Sequence, residues 1–549
     1  MRSRPRSATW PSQPRRAVGA LTALALALGS SAVAAGASTT ARVSSAKGGG
    51  DLVFGLEADT NNYCLSSAQL AISGIQVVAA VYDTLTVPNS QGESTPYLAK
   101  SVEPNADYTE WTITLREGVT FHDGTPLDAD AVKQNLDSWR GAPGAVNVGP
   151  LLPLAFKAWT DVQIVDPLTV KVATAVPVVD FPNGLSGSGR LGIMAPAQLN
   201  AGADCATKMI GTGPFALDEY RQNESTTVVK NKDYWQKGYP KADSIKFVPV
   251  VEGPARVNQL QGGQLDLMHT SGAIQTDALR SLGDQVKVFT EKPGFREVRY
   301  YVLLADKPPF ENPDARKAVA LALNRSEINE IRNLGLFDDA NSLMDRKAPG
   351  YLKNAGYPKH NQKEAKKLAA KVKAETGSFD VLLGAAQDEQ SSAEVQLVKQ
   401  QLDDVGINGI ITQFDQATLI NKALSRDIDV LFWRNLHGGY SKTNDTDTYP
   451  WFSNVDGANF LNFSGFEDPK VQAFLDQGRS EPDPAKAKEI YEDFNRAMAE
   501  GLYALPVWFV NWTIGYANDV KLTFPKLPDG NGKPLFVFGR VPVLGLEKR

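Results

Sequence analysis

Trp111-Thr112-Ile113-Thr114-Leu115-Arg116-Glu117-Gly118-Val119-Thr120-Phe121-His122-Asp123-Gly124-Thr125-Pro126-Leu127 carries the clearest strand pattern of the chain. Apolar and polar residues alternate from Trp111 to Arg116, Glu117-Gly118 turns the chain, and Val119 and Phe121 resume the alternation before Asp123-Gly124. Side chains of a strand point alternately to its two faces, so a period of two predicts a half-buried antiparallel unit. Asp128 follows as a helix N-cap, with Leu127 before it and Val132 four residues after it as a hydrophobic staple, so a helix should run toward Trp139. Val162 to Ala173 alternates again around an Asp166-Pro167 turn.

Working outward, strand and helix signals keep alternating. Leu52 to Leu56 is a short apolar run of the buried-strand kind, and Leu70 to Thr84 has helical spacing. Asn312-Pro313 and Asp483-Pro484 each place a capping side chain before a proline at the first helical position. Ala487, Ile490, Tyr491, Phe494, Ala497 and Met498 fall on one face of the second of these helices, and Leu505 to Trp512 is a strand-like run after it. No fixed period recurs, which predicts mixed α/β lobes rather than a solenoid. At 549 residues the chain exceeds one compact core. The absence of a long low-complexity linker favours lobes joined by hinge strands.

The first residues read as an export signal. Arg2, Arg4, Arg6, Arg15 and Arg16 precede an apolar run from Ala17 to Leu28 and small residues from Gly29 to Ala37. The run is shorter than the roughly 20 residues a membrane span needs, so residues 1–37 read as a cleavable signal, cut after Ala34 or Ala37. Arg15-Arg16 does not complete a twin-arginine pattern, and no cysteine stands there to carry a lipid. Residues 38–50 read as a disordered lead-in. Losing five arginines and no acids takes the formal charge from −5 to −10, which argues against nucleic acid as a partner. Two cysteines, Cys64 and Cys205, read in an oxidising compartment as one disulfide, the alternative being two buried thiols.

Enzyme signatures are missing. His122, His269, His360 and His437 show no metal-ligand spacing, and no nucleophile elbow or P-loop lysine motif occurs. Gly211-Thr212-Gly213 precedes Pro214 rather than a helix. The expectation is no catalytic residue, no metal and no cofactor.

Several stretches, in order, resemble one family: the peptide and nickel type of ABC-importer substrate-binding proteins, solute-binding family 5. They are Trp111 to Leu127, Ile210-Gly211-Thr212-Gly213-Pro214-Phe215, Asn231-Lys232-Asp233-Tyr234-Trp235 with Pro240 and Asp243, Gln259 to Asp266, Ala315 to Arg325, and Val405-Gly406-Ile407. The resemblance implies a bilobal clamshell like the type II periplasmic binding proteins, with an extra inserted α/β lobe. Lobe I would take residues 51–86, 190–290 and 505–549, the inserted lobe II residues 87–189, and lobe III residues 291–504. It further implies a soluble, monomeric receptor in the periplasmic or extracellular space. Such a receptor captures a peptide-like or other small organic solute for an ABC permease.

In dipeptide-binding members an aspartate shortly after a tryptophan holds the ligand's amino terminus; here Trp433-Arg434-Asn435-Leu436 puts leucine in that place. Gly384 to Ser392 offers no counterpart of their carboxylate-binding arginine. A free dipeptide therefore fits poorly. The resemblance points to Asn61, Asn62 and Tyr63 after the first strand and to Trp433, Asn435, Tyr440, Asp445, Asp447, Tyr449 and Trp451 on the third lobe as ligand-facing residues. A secreted hydrolase, or a ligand-sensing clamshell without a transport role, are the rival readings.

Overall fold

The computed structural model describes residues 49–60, 62–68, 70, 72–149, 151–186, 189–435, 443, 445–454, 461–536 and 538–549. The export signal and most of the lead-in lie outside them. Three sheets organise the chain. The first has seven strands in the order Val286–Thr290, Thr513–Ala517, Leu267–Thr270, Asp51–Leu56, Ser244–Pro249, Ser225–Lys230, Phe215–Arg221. The run Leu52 to Leu56 forms its central strand, parallel to both neighbours, with Leu52, Phe54 and Leu56 buried. The second sheet has five strands, Asn408–Phe414, Asp380–Ala386, Val430–Arg434, Val298–Leu303 and Ala504–Phe509.

The third sheet is the inserted one: Ala99–Pro104, Glu110–Leu115, Thr169–Thr174 and Trp159–Asp166. Trp111, Ile113 and Leu115 turn inward as their spacing requires. Val119 and Phe121 are buried too, but they belong to a tight turn with a single Thr120–Pro126 bridge rather than a second strand, because Asp123-Gly124 reverses the chain at once. Asp128 accepts from the Ala131 amide at 2.9 Å and caps helix Ala129–Arg140, which ends on left-handed Gly141. Asn312 and Asp483 likewise cap Pro313–Ala322 and Pro484–Gly501.

Two segments cross between the first and second sheets. Residues 291–297 leave Thr290 for Val298, and residues 510–512 leave Phe509 for Thr513. They are tied to each other: Glu291 N donates to Trp512 O at 2.8 Å, Val510 N to Glu297 O at 2.9 Å, and the Trp512 indole to Glu297 Oε2 at 2.7 Å. This pairing corrects one expected boundary. Strand Ala504–Phe509 stays in the second sheet, with Leu505 opposite Tyr301 and Phe509 opposite Val298, so the return to the first sheet falls after 510 rather than at 505. A fully apolar strand buried on both faces carries no periodic clue to its sheet. Cys64 and Cys205 are bonded and buried, joining the loop after the first strand to the short helix Gly202–Ala206.

Candidate functional site

A cavity of about 950 Å³ opens between the layers. One wall comes from the second sheet. Strand Val430–Arg434 is buried through Trp433 and delivers Phe432, Trp433, Arg434 and Asn435 to the lining. The opposite wall comes from the turn after strand Leu267–Thr270 and the start of helix Ala273–Ser281, with Glu57, Ser271 and Gln275. Phe181 and Asp180, beside the inserted sheet, contribute a third side.

Polar bonds cross the cavity rim. Arg434 Nη1 donates to Ser271 Oγ at 2.8 Å, and Gln390 Nε2 donates to Gln275 Oε1 at 2.9 Å. On the other side Thr446 Oγ1 donates to Asp180 Oδ2 at 3.1 Å and Val179 N to Arg479 O at 3.0 Å. These bonds hold the two halves together over the cavity.

Burial makes every charge here depend on its partner. Glu57 Oε1 accepts from Arg256 at 3.2 Å, Thr270 Oγ1 at 3.0 Å and Ser271 N at 3.0 Å. Burial opposes its ionisation, yet Arg256 and the neighbouring cations hold the carboxyl below the usual range. Arg299 makes a two-pronged pair with Glu394, at 3.0 and 2.7 Å. Asp180 is pushed well above the carboxylate range by burial and by nearby Asp445. Asp445 rises by burial although Arg479 pairs with it at 2.8 Å.

Among the residues singled out by sequence, Trp433, Asn435, Asp445, Asp447 and Trp451 line the cavity. Trp433 packs edge-on against Phe463 at 5.1 Å, and Asn435 Oδ1 accepts from the Tyr300 hydroxyl at 2.6 Å. Tyr449 does not reach the lining: the Arg479 guanidinium lies 3.2 Å from its ring centre, and its hydroxyl donates to Asp476. Tyr63 is core, 1% exposed, its hydroxyl paired with Thr226. Asn62 accepts from the Cys64 amide and shapes a turn. Asn61, Tyr440 and Leu436 lie outside the described residues. Sequence reasoning missed Arg299, Arg332, Arg434, Glu57, Asp180, Gln275 and Gln390. Arg434 carried a signal, being a charge at the end of an apolar strand; the others come together only through the crossings between sheets.

Residues 93–459 match the bacterial extracellular solute-binding proteins, family 5. The chain belongs to that family of extracellular solute-binding proteins, and its fold is the type II periplasmic-binding-protein clamshell. It is similar to the glutathione-binding protein GsiB of Shigella flexneri, 27% identical over 416 residues covering 72% of this chain and 76% of that one. GsiB of Pectobacterium atrosepticum is 26% identical over 440 residues, 79% and 83% of the two chains. Among solved structures, the binding protein AgaA from A. tumefaciens R10 with agropinic acid superposes with a TM-score of 0.79 at 24% identity, over 91% of this chain and 98% of that one. DppA from Helicobacter pylori with the peptide STSA gives 0.79 at 18% identity, again over 91% and 98%.

Proposed function

We propose that the protein is an exported receptor that closes on one polar organic solute, up to the size of a short peptide, and presents it to a membrane permease of an ABC importer. The observation that carries this reading is the cavity of about 950 Å³ lined from all three layers and spanned at its rim by the Arg434–Ser271 and Gln390–Gln275 bonds. A pocket of this size suits a ligand of some tens of atoms. A solute touching both walls adds contacts only in the closed form, and that difference drives closure.

Among the described residues no helix is long and apolar enough to cross a membrane. The relatives bind glutathione by name, and a modified short peptide of that kind is compatible with a cavity mixing Trp433, Phe432 and Phe181 with arginines and carboxylates. The test is capture. Ligand-stripped protein offered the small-molecule fraction of yeast extract should show a one-to-one complex by native mass spectrometry. Failure to capture any solute counts against the receptor reading.

A further inference from the structure

We propose that the Asp83 carboxyl is a proton-held latch between the inserted sheet and the first sheet: protonated it locks the joint, and ionised it loosens it.

The chain crosses between these layers at residues 82–84 and again at 192–194, and the two crossings are tied to each other. Ile193 N donates to the Asp83 carbonyl at 3.0 Å, and Thr84 bridges Gly192. Tyr82 belongs to the core of the first layer and Leu85 to that of the inserted one. Asp83, 5% exposed, therefore stands in the joint itself.

Stretches distant in sequence converge on it. Trp235 Nε1 donates to Asp83 Oδ2 at 2.8 Å, the Tyr234 hydroxyl to Oδ1 at 3.3 Å and the Thr212 hydroxyl to Oδ2 at 3.4 Å. Loop 211–213, which presents Thr212, is gripped by His122 from the turn after strand Glu110–Leu115. The His122 amide donates to Gly211 O at 2.9 Å, its Nδ1 accepts from the Gly211 amide at 3.3 Å, and its Nε2 donates to Gly213 O at 3.0 Å. A side chain at Gly211 or Gly213 would collide with the Val81 backbone, so the loop sits directly on the end of helix Ile72–Val81. Tyr97, just before strand Ala99–Pro104, meets the Tyr234 hydroxyl at 3.1 Å. Residues 111–127, 210–215 and 231–235, three of the stretches that carry the family resemblance, thus meet around one carboxyl.

That carboxyl has only neutral donors. Arg116 lies over the Trp235 ring but pairs with Asp529, and Arg540 acts on the Tyr97 hydroxyl. Among the described residues no cation stands at ion-pair distance of Asp83. Burial without a counter-charge favours the neutral acid, and it pushes Asp83 up to about 7 although the Trp235, Tyr234 and Thr212 donors pull the other way. In the neutral form the Oδ1 proton is given to the Tyr234 oxygen, while Oδ2 keeps Trp235 and Thr212. Loss of that proton leaves a buried ion that an opening of the joint to water relieves. Asp180 and Phe181 line the cavity from the inserted side, so a loosened joint reaches the cavity wall.

An opened joint exposes an ordinary carboxyl with a pKa of about 4, whereas the closed joint keeps its proton up to about 7. Closure is therefore most favoured in acid. It weakens about tenfold per pH unit as pH rises, and levels off above the closed-joint value. His122, drawn down by burial although Gly213 and Asp123 oppose the shift, works in the opposite direction below about pH 6.5. Asp83→Asn keeps His122 and the shape of the neutral acid, so comparison with it isolates the carboxyl.

The test follows amide hydrogen exchange of residues 82–85, 192–194 and 211–213 from pH 5 to 8.5, corrected for intrinsic exchange. The ratio of wild-type to Asp83→Asn protection should fall about tenfold per pH unit and level off near pH 7. Trp235→Phe removes the nearest donor and leaves the carboxyl, so its protection should go on falling above the pH at which wild type levels off. A ratio independent of pH, or a levelling point unmoved in Trp235→Phe, overturns the latch. Should Asp83→Asn fail to fold, the Trp235→Phe comparison, read above pH 6.5 where His122 is neutral in both states, decides alone.

Discussion

Two arginines near the crossing between the sheets, fully buried Arg296 and half-buried Arg434, are treated in opposite ways. Arg296, in the crossing segment, is saturated: Nε and Nη2 pair with both oxygens of Asp345 at 3.0 and 3.1 Å, Nη2 also meets Asp338 at 3.0 Å, and Nη1 donates to Asn511 at 2.8 Å. Asp345 in turn accepts from the Gly294 and Arg296 amides. Arg434, in the cavity wall, has one hydroxyl and one aromatic face as partners among the described residues. The first arrangement fixes where the chain passes from sheet to sheet. The second ties the cavity wall to the opposite side of the rim through Ser271. Burial and saturation go together here: the fully buried guanidinium is paired at every nitrogen, and the half-buried one is not.

The largest effect is expected at Arg296. Arg296→Met leaves Asp345, which is fully buried, without its cation, and should cost about 3–5 kcal/mol in a urea melt. A loss below about 1 kcal/mol would show that the crossing does not depend on this pair. Capture by the fraction that remains folded should be unaffected.

Trp433 lies between the two kinds of residue. It is 9% exposed and packed against Phe463 and Trp451, yet lines the cavity. Trp433→Ala should therefore lose about 3 kcal/mol of stability and also weaken capture. Unchanged capture in the folded variant would shift the aromatic contact to Trp451 or Phe181.

His269 gives the smallest effect. Burial draws its imidazole down to about 4 although Glu57 opposes the shift. Its Nε2 accepts from the Glu57 amide and the Ser73 hydroxyl, both at 3.2 Å, which needs the neutral ring. The unfolded chain binds this proton near pH 6.5 and the folded chain does not, so its contribution is complete above pH 6.5 and falls on acidification toward pH 4. Between pH 6.5 and 5 the loss is about 2 kcal/mol. Asp83, pushed up to about 7 by burial against three donors, works in the opposite direction over the same range. The difference between wild type and His269→Gln isolates the histidine. An imidazole NMR midpoint near 6.5 for His269 would contradict its place in the network.

What the sequence made legible was local. The Trp111–Leu115 alternation, the Asp128 cap and the Asn312-Pro313 and Asp483-Pro484 starts each depend on neighbours within a few residues, and each recurs in the structure. The cavity wall at Trp433, Asn435, Asp445 and Asp447 came from family resemblance. Most of the rest was not local. Asp180 meets Thr446, and Ser271 meets Arg434, across stretches whose spacing encodes nothing about their approach. Tyr63 follows a strand as a ligand-facing residue would, but Thr226 satisfies its hydroxyl from inside the core.

A solute held between the two walls should alter hydrogen exchange on both walls at once, so exchange with and without the captured solute is the decisive measurement. Added protection is expected together in residues 269–276, 386–394 and 430–435, which supply both sides of the rim. Protection confined to one of these segments, or to surfaces away from the cavity, would contradict it.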